Sequence, residues 1–338
     1  MPPEPLPILA PKERRMRVFR SARTDDAYGK APEDRTVEEL MRFGVIILDK
    51  TQGPTSHQVV AWVRDALGIE KIGHGGTLDP KVSGVLPTLL GEATKVVKPL
   101  QGVGKEYIAV MRLHGDAPEE KIRAEARRFI GKVRQVPPVR SAVARRQRVR
   151  RIYDLEVLQI DGRDVLLRVT CEGGTYIRNL CVDLGKAIGV RGHMAELRRT
   201  RTGLFNEDEA ISLHDLIDAL QFWREDNDQT PIRSCILPYE RAIAHLPRVI
   251  VRDSAVDAVC HGAELAAPGI VAMEEGIQKG DGVALYTLKG EALALGDAVM
   301  ATGDAERAES GIVIKPSRVL LPAGTYPSVW KGRMAVGG

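Results

Sequence analysis

Apolar positions recur in this chain with distinct periods, and each period predicts a kind of element. "GVIILDK" (44–50) is a short unbroken apolar run behind a glycine, the pattern of a buried strand. In "HQVVAWVRDALG", Val59, Val60, Val63 and Leu67 share one helical face, and Gly68 stands where a C-terminal cap belongs. "KEYIAVMRL" (105–113) has strand composition. "PEEKIRAEARRFIG" returns to helical spacing through Ile122, Ala126, Phe129 and Ile130 and ends at Gly131. "DLEVLQIDGRDVLLRVTCE" reads as a hairpin: Asp161-Gly162 supplies the turn, and Val165, Leu167, Val169 and Cys171 alternate on the returning strand. In "TYIRNLCVDLGKAIG", Ile177, Leu180, Cys181, Leu184 and Ile188 form the apolar stripe of a helix entered through the Gly173-Gly174 turn.

Further along, Ser212 and Asp215 form a capping-box pair before a helix carrying Leu213, Leu216, Ile217 and Leu220. Around "FWREDNDQTPIRS" (222–234) the pattern breaks into a polar link. From Arg248 onward the segments are short and turn-separated, as in a compact, mostly β module. Residues 1–36 are proline-rich, then charged, with no sustained period, and read as an arm that docks elsewhere. The expected class is α+β, with three parts: the arm at 1–36, a mixed α/β body at 37–247, and a β module with its tail at 248–338. A chain of 338 residues is long enough for two cores.

Composition adds little until charge is located. With 43% apolar and 28% charged residues the chain is an ordinary globular one, and a net charge of +4 does not by itself imply a polyanionic partner. Yet "RSAVARRQRVRR" (140–151) places Arg140, Arg145, Arg146, Arg148, Arg150 and Arg151 together without an acid, and arginine forks suit phosphates. Nucleic acid is therefore the leading partner. The four cysteines show no C-x-x-C pair, and the seven histidines show no H-x-x-x-H spacing, so no metal site is expected. No apolar run spans a membrane, and the N-terminus lacks the order of a signal peptide, which places the protein in the cytoplasm.

"GHGGTLDPKVSG" (73–84) surrounds one acid, Asp79, with Gly73, Gly75, Gly76 and Gly84, and Pro80 biases Asp79 toward an extended backbone. The loop is shaped to present a carboxylate, either as a surface turn or as an active-site loop.

Together these landmarks resemble the TruB and dyskerin family of pseudouridine synthases. "GVIILDKTQGPTSHQVVAWVR" resembles the family's first motif, "GHGGTLDPKVSGVLP" its catalytic motif, "KEY" (105–107) its tyrosine motif, and "VTCEGGTYIRNLCVDLG" its arginine motif. The likeness spans about 45–205, and the tail from about 248 to 323 resembles a PUA domain. Thr51 departs from the family, which usually has proline there. "PPVRSAVARRQRVRRIY" and the long arm are similar to the dyskerin branch, the catalytic subunit of H/ACA ribonucleoproteins; the missing lysine-rich tail suits an archaeal member.

The resemblance implies a mixed, mainly antiparallel sheet flanked by helices, a small PUA domain, and isomerisation of uridine to pseudouridine in RNA. The C1′–N1 bond breaks and C1′ rejoins the base at C5, so no cofactor is required. It implies Asp79 as the catalytic carboxylate, Arg178 as its counter-ion and Tyr107 against the target base. His74 would steer the space of a flipped nucleotide, Leu197 would wall the uracil pocket, and Lys50 would support the floor. A carboxylate of this kind can attack C1′, attack C6, or promote a glycal. Implied partners are an H/ACA guide RNA, substrate rRNA or tRNA, and small ribonucleoprotein subunits. Two other readings stand beside it: a stand-alone enzyme for the T-loop of transfer RNA, and a non-catalytic RNA-binding scaffold.

Overall fold

The Gly44–Lys50 strand is buried at every position except Asp49, which is why its sequence is a continuous apolar run rather than an alternation. The structure, a computed structural model, describes residues 14–137 and 146–328. The chain divides into two units: one is built within Val45–Ile236, and the other joins residues 14–44 to 237–328.

In the first unit the sheet runs in the order Gly44–Lys50, Val82–Leu90, Gly192–Thr202, Lys105–Leu113, Asp164–Cys171, Arg148–Asp161, Gly131–Gln135. Its pairings are antiparallel except for Val82–Leu90 against Gly192–Thr202. Pro87 sits inside a buried strand of this sheet. Its carbonyl turns away from the Gly44–Lys50 ladder to accept from the Gly75 N–H at 2.8 Å, so the missing proline N–H removes nothing from that ladder.

Helix Ser56–Leu67 begins at a capping box between Thr55 and Gln58 and ends at Gly68, whose φ of 68° closes the last turn. Its buried face is Val59, Val60, Val63 and Leu67, as the spacing predicts. The Ile177–Ile188 helix likewise buries Ile177, Leu180, Cys181, Leu184 and Ile188. The expected hairpin forms between Arg148–Asp161 and Asp164–Cys171, with Gly162 at φ 55°.

Two local expectations change. Helix Glu119–Arg128 stops before Phe129 and Ile130, and Ile130 is 44% exposed, because the chain turns at Gly131 (φ 119°) into the next strand. The polar stretch at 222–234 carries helix rather than link. Helix Leu213–Asp226 runs on with Phe222 outward until Asn227 caps it in the left-handed region, and Thr230–Cys235 is a second helix anchored by buried Ile232 and Cys235. Helix Leu213–Asp226 already has its buried contacts at Leu216, Ala219 and Leu220, so the next turn can be polar without unwinding.

The second unit is a seven-stranded sheet around Val249, Val251, Met273, Val283, Leu285, Leu293 and Val313. At its edge Met16–Val18 pairs antiparallel with Ile270–Glu274. Arg35 and Glu240 are both buried; Arg35 donates two hydrogen bonds of 2.7 and 2.6 Å to the Glu240 carboxylate, which also accepts from the Ala292 N–H.

One row crosses four neighbouring strands of the first unit: Lys50 opposite Gly84, Gly84 opposite Arg199, Arg199 opposite Tyr107. Gly84 has φ 105°, and a Cβ there would lie 2.1 Å from the Arg199 carbonyl oxygen. Gly84→Ala is expected to cost about 2–4 kcal/mol by strain and overpacking. Urea unfolding of the variant beside the parent chain measures it.

Candidate active site

Asp79 lies in the loop before Val82–Leu90, and the chain fixes that loop through its backbone. Gly76 takes φ 144°. On one flank Ser56 Oγ accepts from the Leu78 N–H at 2.8 Å and donates to its carbonyl at 2.9 Å. On the other, the Pro80 carbonyl accepts from the Gly53 N–H at 2.8 Å. Beneath, the buried Lys50 ammonium donates to the carbonyls of Thr51 (2.9 Å), Asp79 (3.3 Å) and Val82 (2.8 Å). Burial pulls the Lys50 amine below its ordinary range, and the Asp79 charge opposes the shift. The backbone of Asp79 is held while its side chain stays free to project.

That side chain meets Arg178, whose Nη2 donates to Asp79 Oδ2. Arg178 stands on the first turn of helix Ile177–Ile188, and both of its neighbourhoods are tied down. Gln135 exchanges hydrogen bonds with the Tyr176 backbone (3.1 and 2.9 Å), and Asn179 donates to the Val136 carbonyl at 2.8 Å. The Asp79 and Arg178 side chains are 54% and 45% exposed, so the pair contributes only about 0–1 kcal/mol to stability.

Tyr107 is buried opposite Arg199 on the neighbouring strand. Burial pushes its phenol above the ordinary value; the Arg199 charge and a hydrogen bond from it push back, while the Asp79 charge adds to the rise. Leu197, 8% exposed, lies between Val82 and Ala109 in register and so shares the sheet face of Tyr107. His74 pairs with Thr88, stands edge-on to His57 with ring centroids 5.2 Å apart, and its Nδ1 accepts from the Gly76 N–H at 3.4 Å.

Arg199 is the residue that sequence reasoning missed. It is 1% exposed, donates to the carbonyls of Val85 (2.7 Å) and Gly76 (3.0 Å), and stands opposite Tyr107. The signal was present: in "AELRRTRTG", period-two alternation from the inward Leu197 turns Arg199 inward as well. Lys105 is also buried, donating to the carbonyls of Gln101 (2.7 Å) and Val103 (2.8 Å), and burial lowers its amine to about 7.

Arg140 and Arg145 lie outside the described residues. Arg146 is exposed, and Arg148 and Arg151 lie on the Arg148–Asp161 strand. Arg150 is committed to Glu172 at 3.0 Å and packs against Gly174, so it braces the turn leading to Arg178. Among the described residues no group of three or more His, Cys, Asp or Glu side chains is placed to hold a metal.

Burial lowers His74 to about 4, with the His57 and Arg199 charges adding to the effect. The unfolded chain therefore takes up this proton more readily, and stability held above pH 6.5 is lost as the pH falls toward 4. In NMR titration the His74 ring is expected to stay neutral through pH 5. His74→Gln should remove its part of the acid sensitivity seen in thermal melts.

Comparison with known proteins identifies the family. The family model described as TruB family pseudouridylate synthase (N terminal domain) matches residues 64–177, and that of the tRNA pseudouridylate synthase B C-terminal domain matches 178–244. A PUA domain matches 247–320, and a DKCLD domain 4–60. A relative from Methanopyrus kandleri, named a probable tRNA pseudouridine synthase B, is 54% identical over 319 residues and 94% of each chain. One of the same name from Thermococcus kodakarensis is 55% identical over 311 residues and 92% of each chain. Among solved structures, a chain of an H/ACA RNP bound to a substrate RNA containing 2'-deoxyuridine superposes with TM-score 0.90 at 49% identity, covering 96% of this chain and 99% of that one. A chain of a Cbf5-Nop10-Gar1 complex superposes equally well, with TM-score 0.90 at 50% identity, 96% of this chain and all of that one. Matched along almost its whole length by these relatives, this chain is a member of the TruB family of pseudouridine synthases, the RNA uridine isomerases.

Proposed function

We propose that this chain converts uridine to pseudouridine in RNA selected by an H/ACA guide, with Asp79 as the reacting carboxylate. The observation that carries the chemistry is the contact of Arg178 with Asp79 on a loop whose backbone is pinned from three sides. The target base leaves its stack, at a cost of a few kcal/mol, and enters between Asp79 and Tyr107. Arg178 keeps the carboxylate ionised as the base excludes water. The C1′–N1 bond breaks, the base turns, C1′ bonds to C5, and the C5 proton is exchanged for one on N1. Tyr107 stacks on the base, Leu197 walls the pocket, His74 stands by the space the nucleotide vacates, and Lys50 holds the floor. Arg140, Arg145, Arg146, Arg148 and Arg151 meet phosphates, while Arg150 acts through the turn it braces.

Guide dependence rests on the likeness, along almost the whole chain, to subunits of an H/ACA RNP and a Cbf5-Nop10-Gar1 complex. By that likeness small subunits join the catalytic chain, and the PUA region grips the guide. We place the assembly in the cytoplasm; no helix among the described residues is long and apolar enough to cross a membrane. A second reading, direct action on the T-loop of transfer RNA, is favoured by the name that the relatives from Methanopyrus kandleri and Thermococcus kodakarensis carry.

Asp79→Asn is expected to lower single-turnover conversion by about 10⁴-fold or more while RNA affinity holds, since it removes the charge and keeps the shape. Arg178→Lys should lose about 10²-fold by giving up the planar fork. Measurable turnover at the parent rate in Asp79→Asn removes the carboxylate from the reaction. Efficient conversion of unmodified transfer RNA without guide or partner subunits decides for the second reading.

A further inference from the structure

Among the described residues two arginines are buried, Arg35 and Arg199, and their partners differ in kind. Arg35 is bound to the Glu240 carboxylate by two hydrogen bonds, so its charge is neutralised where it lies. Arg199, 1% exposed, is held without a carboxylate. Its Nε donates to the Val85 carbonyl and its Nη2 to the Gly76 carbonyl, and the guanidinium also donates to the phenol of Tyr107, its partner across the strand pair. Tying a loop to a strand needs only the first two bonds, and a neutral amide could make such bonds without the cost of burying a charge. The charge of Arg199 is left to be explained by the third.

Arginine donates and cannot accept, so the phenol oxygen is the acceptor in this bond and its own proton points elsewhere. Tyr107 therefore has a proton to give, and a cation is fixed against the oxygen that gives it. Burial is the largest obstacle to losing that proton, and the charges of Cys171 and Asp79 add to it; Arg199 alone acts the other way. Cys171 is itself pushed up by burial to about 12 and stays a neutral thiol near pH 7. Lys105, two residues before Tyr107 on the same strand face, spends donors on the carbonyls of Gln101 and Val103. Arg199 is thus the group placed to bear the charge of a phenolate here.

We infer that Arg199 is a positioning residue for the isomerisation, aiming the Tyr107 proton at the uracil and stabilising the phenolate left when that proton moves. Once C1′ has bonded to C5, that carbon carries a hydrogen it must lose, and N1 lacks one it must gain. Both atoms flank C6, so one phenol oxygen can serve both. Its O–H proton passes to N1, and the phenolate then takes the C5 proton while the C5–H electron pair returns to the ring. The phenol is restored, and no oxidant or co-reactant enters. This exchange closes the reaction whether Asp79 attacks C1′, attacks C6 or promotes a glycal. The inference rests on the RNA-modifying function proposed above.

The test is a double-mutant cycle on single-turnover conversion of uridine, in an unmodified transfer RNA transcript or in a guide-matched strand with H/ACA guide RNA and partner subunits supplied. Tyr107→Phe is expected to lower the rate about 10²-fold by removing the proton carrier. Arg199→Gln should lower it to a similar extent, about 10²-fold. In the Tyr107→Phe background the same glutamine substitution should cost about 2-fold or less, because the group it acts through is gone. An equal loss in both backgrounds overturns the inference, since Arg199 then acts on the framework alone. Arg199→Lys, which keeps a cation, carries the same cycle with a smaller loss if the glutamine variant does not fold. An alkaline absorbance titration of the full chain without RNA, taken as the difference between each chain and its Tyr107→Phe counterpart, gives a second readout. The Tyr107 phenol should ionise at higher pH in Arg199→Gln than in the parent. Ionisation at an unchanged or lower pH overturns the inference too. A parent chain that converts no uridine under either condition defeats the proposed function instead, and the titration still decides the Arg199 contact.

Discussion

Three buried cations hold the framework under Asp79, and each is bound by main-chain carbonyls rather than by an acid. Lys50 takes the carbonyls of Thr51, Asp79 and Val82, Lys105 those of Gln101 and Val103, and Arg199 those of Val85 and Gly76. A cation removed from water must recover its solvation as hydrogen bonds, and here those bonds also fix the course of the backbone. Burial pulls all three groups below their ordinary proton affinities.

The Asp79–Arg178 pair stands in contrast to its support. Asp79 and Arg178 are half-exposed and joined by a contact of small net worth, while Lys50, Lys105 and Arg199 are all nearly inaccessible. Rigidity resides in the row from Lys50 through Gly84 and Arg199 to Tyr107, and freedom in the two side chains above it. The two side chains can therefore shift without disturbing the sheet.

Much of this was legible in the sequence, for reasons that lie in particular residues. Glycines at 76 and 84, each at positive φ, marked the shaped loop around Asp79, and clear alternation marked the Asp164–Cys171 strand. Helix Ser56–Leu67 declared itself by its face and its glycine cap. Arg199 did not stand out because charge reads as surface unless strand alternation is carried through it. The helices in 222–234 were hidden because their apolar residues are few and their order comes from packing of Ile232 and Cys235. The arginine block read as a single interaction arm; only cross-strand register separates Arg150, spent on Glu172, from Arg151, which faces solvent.

The second unit is assembled from both ends of the chain. Arg17 reaches Glu275, 258 residues away, and Met16–Val18 completes the edge of a sheet whose other strands all follow Pro247. On a ribosome that segment emerges ahead of its partner strands and must wait, unpaired, until they follow. Arg14, Arg15, Arg17 and Arg20 crowd its few apolar residues with charge, which discourages the waiting strand from docking on a neighbouring nascent chain. The body carrying Asp79 is fully translated well before its companion can close.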